Sequence, residues 1–455
     1  MAAGKGTRMK SAHPKVLHRL AGRSLLQHVV DTAATLKADR TVAITGHGAA
    51  QVEAAFAGAG LAFVRQEPQL GTGHAVQQAV PQLHDEGTTL ILNGDVPLIE
   101  PETLRKLVQA CNGKSLALLT VVLADPSGYG RVVRSGDSVG GTIEGIVEHK
   151  DASPQQRRIQ EIYTGVMAAP TALLKRWLAN LKNDNAQKEY YLTDVVAMAV
   201  AERVRVVATH AHDETEVLGI NSPAQLADLE RRYQRRHADA LMEAGVRLAD
   251  PARIDIRGEL ACGRDVEIDV NCIFEGKVML GNNVRIASHC VIRNVNIADD
   301  AVIHSFTHID GEAQGARVGK GSLVGPFARL RPGAELGEEV HIGNFVEVKN
   351  STLAKGAKAN HLAYLGDATV GERVNYGAGS ITANYDGANK HRTVIGADVH
   401  IGSNSVLVAP ITIGDGATIG AGSTVSKSAP AGQLTVVRAK AVSLAGWKRP
   451  VKAKK

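Results

Sequence analysis

The sequence predicts two unlike halves: an α/β domain with a mainly parallel sheet, then a parallel β-helix built from hexapeptide repeats. Two patterns predict this. A branched or long apolar residue recurs every six positions at Ile395, Ile401, Leu407, Ile413, Ile419 and Val425, and again at Val318, Val324, Leu330, Leu336, Ile342 and Val348. A third set runs Ile256, Cys262, Ile268, Phe274, Leu280, Ile286 and Ile292, with small residues two positions before many of them. Neither a 3.6-residue helix nor a two-residue strand gives that period. A solenoid does, because each repeat supplies one short strand whose inward residue stacks on the one a full coil away. In the first half, apolar runs at Val42–Thr45, Thr88–Leu92 and Leu116–Leu123 alternate with helical stretches at Ser24–Leu36 and His74–Val80. That alternation predicts strands covered by helices.

A chain of 455 residues suits two or three domains. Apolar content of 44% and charged content of 22% are ordinary for a globular protein, while 47 glycines and 4% aromatics suit a solenoid with tight corners. No apolar run is long enough to span a bilayer, and the opening lacks a signal-peptide core, so no membrane insertion and a cytoplasmic location are expected. Cys111, Cys262, Cys272 and Cys290 have no metal-site spacing and read as reduced, structural thiols. The net charge of +6 is concentrated in Lys448, Arg449, Lys452, Lys454 and Lys455. A basic tail of this size reads as a local feature rather than a nucleic-acid site.

Three segments follow: an α/β domain at 1–221, a helical linker at 222–245, and a β-helix with its basic tail at 246–455. Ser222 as N-cap with Pro223 in the first turn starts the connecting helix. Asp250-Pro251 closes the segment before the hexads begin.

The chain opens on Ala2-Ala3-Gly4-Lys5-Gly6-Thr7-Arg8-Met9, with Pro14-Lys15 following. A glycine turn lets backbone N–H groups approach a phosphate, and nearby cations neutralise it. This is not a P-loop, since GxxxxGK[ST] is absent. Further on stand Gln66-Glu67-Pro68-Gln69-Leu70-Gly71-Thr72-Gly73, Asn93-Gly94-Asp95-Val96-Pro97-Leu98, Gly128-Tyr129-Gly130-Arg131 and Glu148-His149-Lys150. This order resembles the sugar-nucleotidyltransferase signature. With the hexads it resembles, over residues 2–450, the bacterial bifunctional N-acetylglucosamine-1-phosphate uridylyltransferases and glucosamine-1-phosphate N-acetyltransferases.

The resemblance implies a Rossmann-like nucleotidyltransferase domain joined to a left-handed β-helix. It implies that Gly4, Lys5, Arg8 and Lys15 face the UTP phosphates and that Asp95 and Asn221 hold Mg²⁺. Gln66, Gly71 and Thr72 would contact uracil, and Gly130, Glu148 and the residue at Tyr163 the sugar. The implied reaction is attack by N-acetylglucosamine-1-phosphate on the α-phosphorus of UTP, a step that needs positioning and charge neutralisation. Three departures stand out. The family has an apolar strand before the Ala-Ala-Gly turn, where this chain has only Met1, so a central strand would be missing and its neighbours unpaired. Asn93 stands where the family usually has Tyr, and Tyr163 where it has a sugar-contacting Asn. A phenol differs from a carboxamide in bulk and donors, so weakened or altered sugar binding is expected.

In the second half the six-residue period fails around polar residues. From Val348 to Leu353 the step is five, and from Thr382 to Ile395 thirteen. Register breaks in repeats extrude loops, which often carry binding groups. Acetyl transfer to an amine needs a base and oxyanion donors, and histidine suits the first task. Asn360-His361-Leu362-Ala363-Tyr364-Leu365-Gly366-Asp367 resembles the family's catalytic segment. The resemblance implies His361 as base with Glu347 able to orient it, Arg331 and Lys349 on the phosphate of glucosamine-1-phosphate, and Tyr364 and Asn375 on the sugar. It further implies Asn384 orienting the amine, with Tyr385 beside it, and Ser403, Ala421 and Arg438 contacting acetyl-CoA. A homotrimer with sites between subunits is also implied. Two other readings remain: an acetyltransferase whose first domain is weakened, and a non-catalytic assembly subunit, which would have no need of Arg331, Lys349, His361 and Asn384 together.

Overall fold

The computed structural model describes residues 1–136 and 141–449. Lys452, Lys454 and Lys455 of the basic tail lie outside the described residues. Two compact units divide the chain, Met1–Tyr233 and Gln234–Lys455. The dividing point falls inside one helix, Pro223–Glu243. Gln225 N donates to Ser222 Oγ at 3.2 Å, the cap that the sequence pattern predicts. Leu229, Leu226 and Tyr233 pack with Leu20, Leu25 and Leu98 of the first unit. One residue later the allegiance changes. Gln234 Nε2 donates to Ile256 O at 2.9 Å, Ile256 N donates to Gln234 Oε1 at 2.7 Å, and Ala238 joins the solenoid core.

In the first unit, β1 (Val42–Thr45) and β2 (Ala62–Arg65) pair in parallel. β3 (Thr88–Ile91), β4 (Leu116–Val122), β5 (Gly130–Arg134), β6 (Ile143–Val147), β7 (Glu161–Pro170) and β8 (Val206–His210) form a second sheet. Strand β8 lies parallel to β4, but β7 runs against β3, β4 and β5, and β6 runs against β5. The sheet is therefore mixed, a point that hydrophobic runs cannot reveal because a buried strand looks the same in either direction. Helices cover it where expected. Leu25–Ala34 starts at Ser24, whose Oγ accepts from Gln27 N at 3.2 Å, and Thr72–Ala79 starts after Gly71.

Strands β1 and β3 stand in different sheets, with a cavity of about 410 Å³ between them lined by Leu26, Val42, Ile44, Leu90 and Ile91 among others. Met1 and Ala2 bridge its end. The Met1 amino group donates to Leu92 O at 2.7 Å, Gly94 N donates to Met1 O at 2.8 Å, and Ala2 N donates to Ile44 O at 2.7 Å.

Every strand pair of the second unit that lies in its two sheets is parallel, as in Glu267 with Arg285 and Leu323 with His341. Ile256, Phe274, Ile292, Ile309, Leu330, Val348 and Leu365 follow one another up a single inward column. All seven are buried, so truncating one, such as Leu330→Ala, should cost about 2–5 kcal/mol. The four cysteines are free, as expected, and Cys272 and Cys290 sit in this core. The step lengthens where Tyr376 pairs with Ile401, and the surplus residues form the loop 384–392. That loop is built rather than slack: Tyr385 bridges Lys390, and Asp386 accepts from Ala388 N at 2.8 Å and His391 Nε2 at 2.6 Å.

Candidate functional sites

In the first unit, Thr7–Met9 form one 3₁₀ turn entered through Gly6 at φ 59°. Glycine is needed there on two counts, since a side chain would be strained at that φ and would press on Lys15 Cβ. Gly4, Lys5 and Arg8 are exposed on this turn. The Lys15 ammonium bonds to Asp95 Oδ2 and, at 3.0 Å, to Asn221 Oδ1. Residues separated by more than two hundred positions are thereby gathered at one point. Ile220 N donates to Asp95 O at 2.9 Å and fixes the two acceptor segments side by side.

Gln66 Nε2 donates to Gly71 O at 2.8 Å, and Leu192 N donates to Thr72 Oγ1 at 3.0 Å. Gly71 has φ 107°, and a Cβ there would stand 2.6 Å from Tyr190 O. The predicted nucleobase loop is therefore clamped against 190–192, which the sequence reading did not single out. Gly130 lies beneath Glu148, whose carboxylate accepts from Thr193 Oγ1 at 3.0 Å. Burial, with added repulsion from Asp151, Asp194 and Glu189, raises the Glu148 carboxyl above its ordinary value despite that hydrogen bond. Tyr163 pairs with Gly130 across β5 and β7, is 6% exposed, and has a hydroxyl with no partner. Burial and then Glu148 push its phenol well above the usual range.

In the solenoid, His361 follows Asn344 by one coil, and its Nδ1 lies 2.9 Å from Asn344 Oδ1. Glu347 does not reach the histidine; it is engaged by Arg331 Nη1 at 2.9 Å and Arg329 Nη1 at 3.3 Å. Asn344 is the partner that sequence reasoning missed, and counting one coil back from His361 finds it. Backbone bonds carry the His361 column onward: Gly379 N to His361 O at 3.3 Å, Asn404 N to Ala378 O at 2.8 Å, and Gly422 N to Ser403 O at 2.8 Å. Ser403 and Ala421 therefore lie on the histidine's own line along the axis. Arg438 is exposed, and its side chain passes beside Gly422. Asn375 pairs with Lys358 and His400 on the face that ends at His361.

Past the corner at Leu362, Tyr364 folds its phenol over Gly366, where any Cβ would collide with it. Gly366 in turn pairs with Lys349, and Arg331 N donates to Val348 O at 2.9 Å beside it. Lys349 is crowded by Lys390 first, then by burial and Arg331, and these lower its ammonium below the ordinary value. Asp367 accepts from the carboxamides of Asn350 and Asn384, which holds Asn384 8% exposed at the root of the loop. Tyr385 is 61% exposed, with its hydroxyl donating to Gly387 O at 2.6 Å.

Sequence comparison bears on both sites. The MobA-like NTP transferase domain family matches residues 1–247, and the bacterial transferase hexapeptide family matches 315–350 and 392–427. The chain is 74% identical to "Bifunctional protein GlmU" of Methylibium petroleiphilum over 456 residues, covering 99% of this chain and 98% of that one. It is 68% identical to the protein of that name from Polaromonas naphthalenivorans, covering 99% and 97%. The chain belongs to the bifunctional GlmU family. It is therefore a transferase enzyme with an α/β NTP-transferase domain followed by a left-handed hexapeptide β-helix. Among the described residues, no helix is long and apolar enough to cross a membrane.

Proposed function

We propose that this family member makes UDP-N-acetylglucosamine in two steps, acetylating glucosamine-1-phosphate with acetyl-CoA and then transferring uridylyl from UTP to the product. The observation that carries the first step is the line His361–Ala378–Ser403–Ala421, beside the cation cluster Arg331, Lys349 and Lys390. With the Asn344 amide oxygen accepting from Nδ1–H, His361 keeps Nε2 free to take a proton from the amine. The amine then attacks the acetyl carbonyl, and the coenzyme A thiolate leaves and is protonated. Arg331 and Lys349 hold the sugar's phosphate, Tyr364 and Asn375 the sugar, and Asn384 the amine. Ser403, Ala421 and Arg438 carry the thioester arm toward His361, with Tyr385 at the rim.

For the second step, Gly4, Lys5 and Arg8 receive the triphosphate, Gln66, Gly71 and Thr72 the uracil, and Gly130 and Glu148 the sugar. The oxygens of Asp95 and Asn221 converge on one cationic point, occupied by the Lys15 ammonium, and hard oxygen donors of this kind fit Mg²⁺. When bound, the ion supplies charge neutralisation on the phosphates. Lys15, placed beside those oxygens, stabilises the phosphate charge that grows as pyrophosphate leaves.

A cytoplasmic homotrimer is the proposed setting, with a neighbouring copy closing each acetyl-transfer site. Phe306, Phe327 and Phe345 support this, being about half exposed and stacked at 5.0 and 5.4 Å between centroids on the corner next to the His361 column. Two coupled assays test the whole reading: thiol release from acetyl-CoA with glucosamine-1-phosphate, and pyrophosphate release from UTP with N-acetylglucosamine-1-phosphate. Absence of either release removes that activity. Light scattering on Phe327→Glu tests the assembly, with a wild-type mass of one chain refuting it.

A further inference from the structure

We infer that Glu216 is a positioning residue for the Asp95–Asn221 pair: through Thr103 it ties the segment carrying Asn221 to the helix that follows Asp95, and so sets the spacing of the two oxygens offered to a divalent cation. The inference rests on the uridylyl-transfer reading above. Three acids are buried among the described residues. Glu161 is held by Arg134, and Asp367 by two carboxamides. Glu216 is 0% exposed and meets a single hydroxyl: Oε2 accepts from Thr103 Oγ1 at 2.7 Å, while Oε1 has no partner. Burying a carboxyl on those terms is costly, and an apolar side chain of like size would fill the space without that cost. The fold alone gives no reason for it.

The reason lies in what the bond joins. Thr103 stands in the first turn of the helix Pro101–Cys111, which the chain enters after Asp95-Val96-Pro97-Leu98-Ile99-Glu100. Glu216 stands in the 3₁₀ turn Glu214–Val217, directly before Leu218-Gly219-Ile220-Asn221. Asp213 caps that turn, its Oδ1 accepting from Thr215 N at 3.0 Å. The two stretches run side by side with a bond at each end, Thr103 to Glu216 at one and Ile220 N to Asp95 O at the other. Val96, Leu98, Ile99, Val217 and Ile220 are buried between these bonds. With the second bond alone, the Asn221 segment would pivot about Asp95; the first removes that freedom. Mg²⁺ accepts little error in the spacing of its oxygens. Groups that orient metal ligands without touching the ion are worth about 10–100-fold in affinity.

The test separates metal affinity from stability. Mn²⁺ binding to the full chain with UDP-N-acetylglucosamine present is read by water-proton relaxation, alongside melting temperature and acetyl transfer. Thr103→Val strands a buried carboxyl, so it should lower the melting temperature and weaken Mn²⁺ binding about tenfold. Thr103→Ser keeps the hydroxyl and should stay within about threefold of wild type. Thr103→Val with Glu216→Met removes both polar partners, so the melting temperature should recover while Mn²⁺ binding stays about tenfold weak. The Mg²⁺ concentration that half-saturates pyrophosphate release should rise by the same factor, with acetyl transfer unchanged. Wild-type Mn²⁺ affinity in the double variant, or affinity that recovers with the melting temperature, overturns the inference and leaves Glu216 a part of the fold only. A wild-type enzyme that binds Mn²⁺ no better than Asp95→Ala fails the uridylyl-transfer reading itself, a result separate from any ranking of the Thr103 variants.

Discussion

The two halves assemble their sites by opposite means. In the first unit Lys15, Asp95 and Asn221 come from three remote turns and meet only because the α/β unit closes around them. In the second, Asn344 and His361 come from successive coils, and Arg331 and Lys349 do the same. A solenoid converts sequence distance into axial distance at about 4.8 Å per coil, so its site is largely local in sequence. An α/β site depends on the whole unit. The first should therefore be fragile to distant change, and the second only to change within its own coils.

The largest expected effect is at the line of the solenoid. His361→Ala should lower acetyl transfer by about 10³-fold and leave pyrophosphate release unchanged; parallel loss in both assays would break the two-site comparison. Next, Asp95→Ala should cost about 10²–10³-fold in uridylyl transfer with acetyl transfer intact, which the same pair of assays reads. Gly366→Ala comes third. Its methyl displaces the Tyr364 phenol, and the KM for glucosamine-1-phosphate should rise about tenfold, with no such change for N-acetylglucosamine-1-phosphate at the other site.

Smaller effects sharpen the electrostatic contrast. Because Lys390 and Arg331 crowd Lys349, removing one cation in Lys390→Met should weaken glucosamine-1-phosphate binding about threefold to tenfold, less so in high salt. It should also let Lys349 hold its proton to higher pH, moving the alkaline loss of phosphate binding upward. The raised carboxyl of Glu148 works in the other direction. As pH falls, Glu148 should protonate above the usual carboxylate range, and the sugar-phosphate KM of uridylyl transfer should rise there. Glu148→Gln should abolish that inflection, and its persistence would assign it elsewhere.

Legibility followed the same division. Ile256, Phe274, Ile292, Leu330 and Val348 of the inward column were readable because a stacked core repeats one residue type at fixed spacing, while Ile309 and Leu365 fall where that spacing shifts. The failures of that spacing located the loop holding Tyr385 and marked the candidate site around it. Asn344 escaped because it obeys the repeat and so looks like scaffold. The helix start at Ser222 was plain from capping chemistry, but in the first unit the reversed direction of β7 left no trace in composition. Tyr163 and Asn93 were each visible as departures, while the tie between Thr103 and Glu216 is a non-local fact.

The helix Pro223–Glu243 belongs to both units, changing sides between Tyr233 and Gln234. For anyone cutting the chain in two, the seam is a shared part rather than a joint. A fragment ending at 221 loses Leu226, Leu229 and Tyr233 and bares the patch of Leu20, Leu25 and Leu98. A fragment beginning at 246 loses the Gln234 clasp on Ile256 and uncaps the first coil. Independent halves therefore require the helix twice, once at the end of the first piece and once at the start of the second.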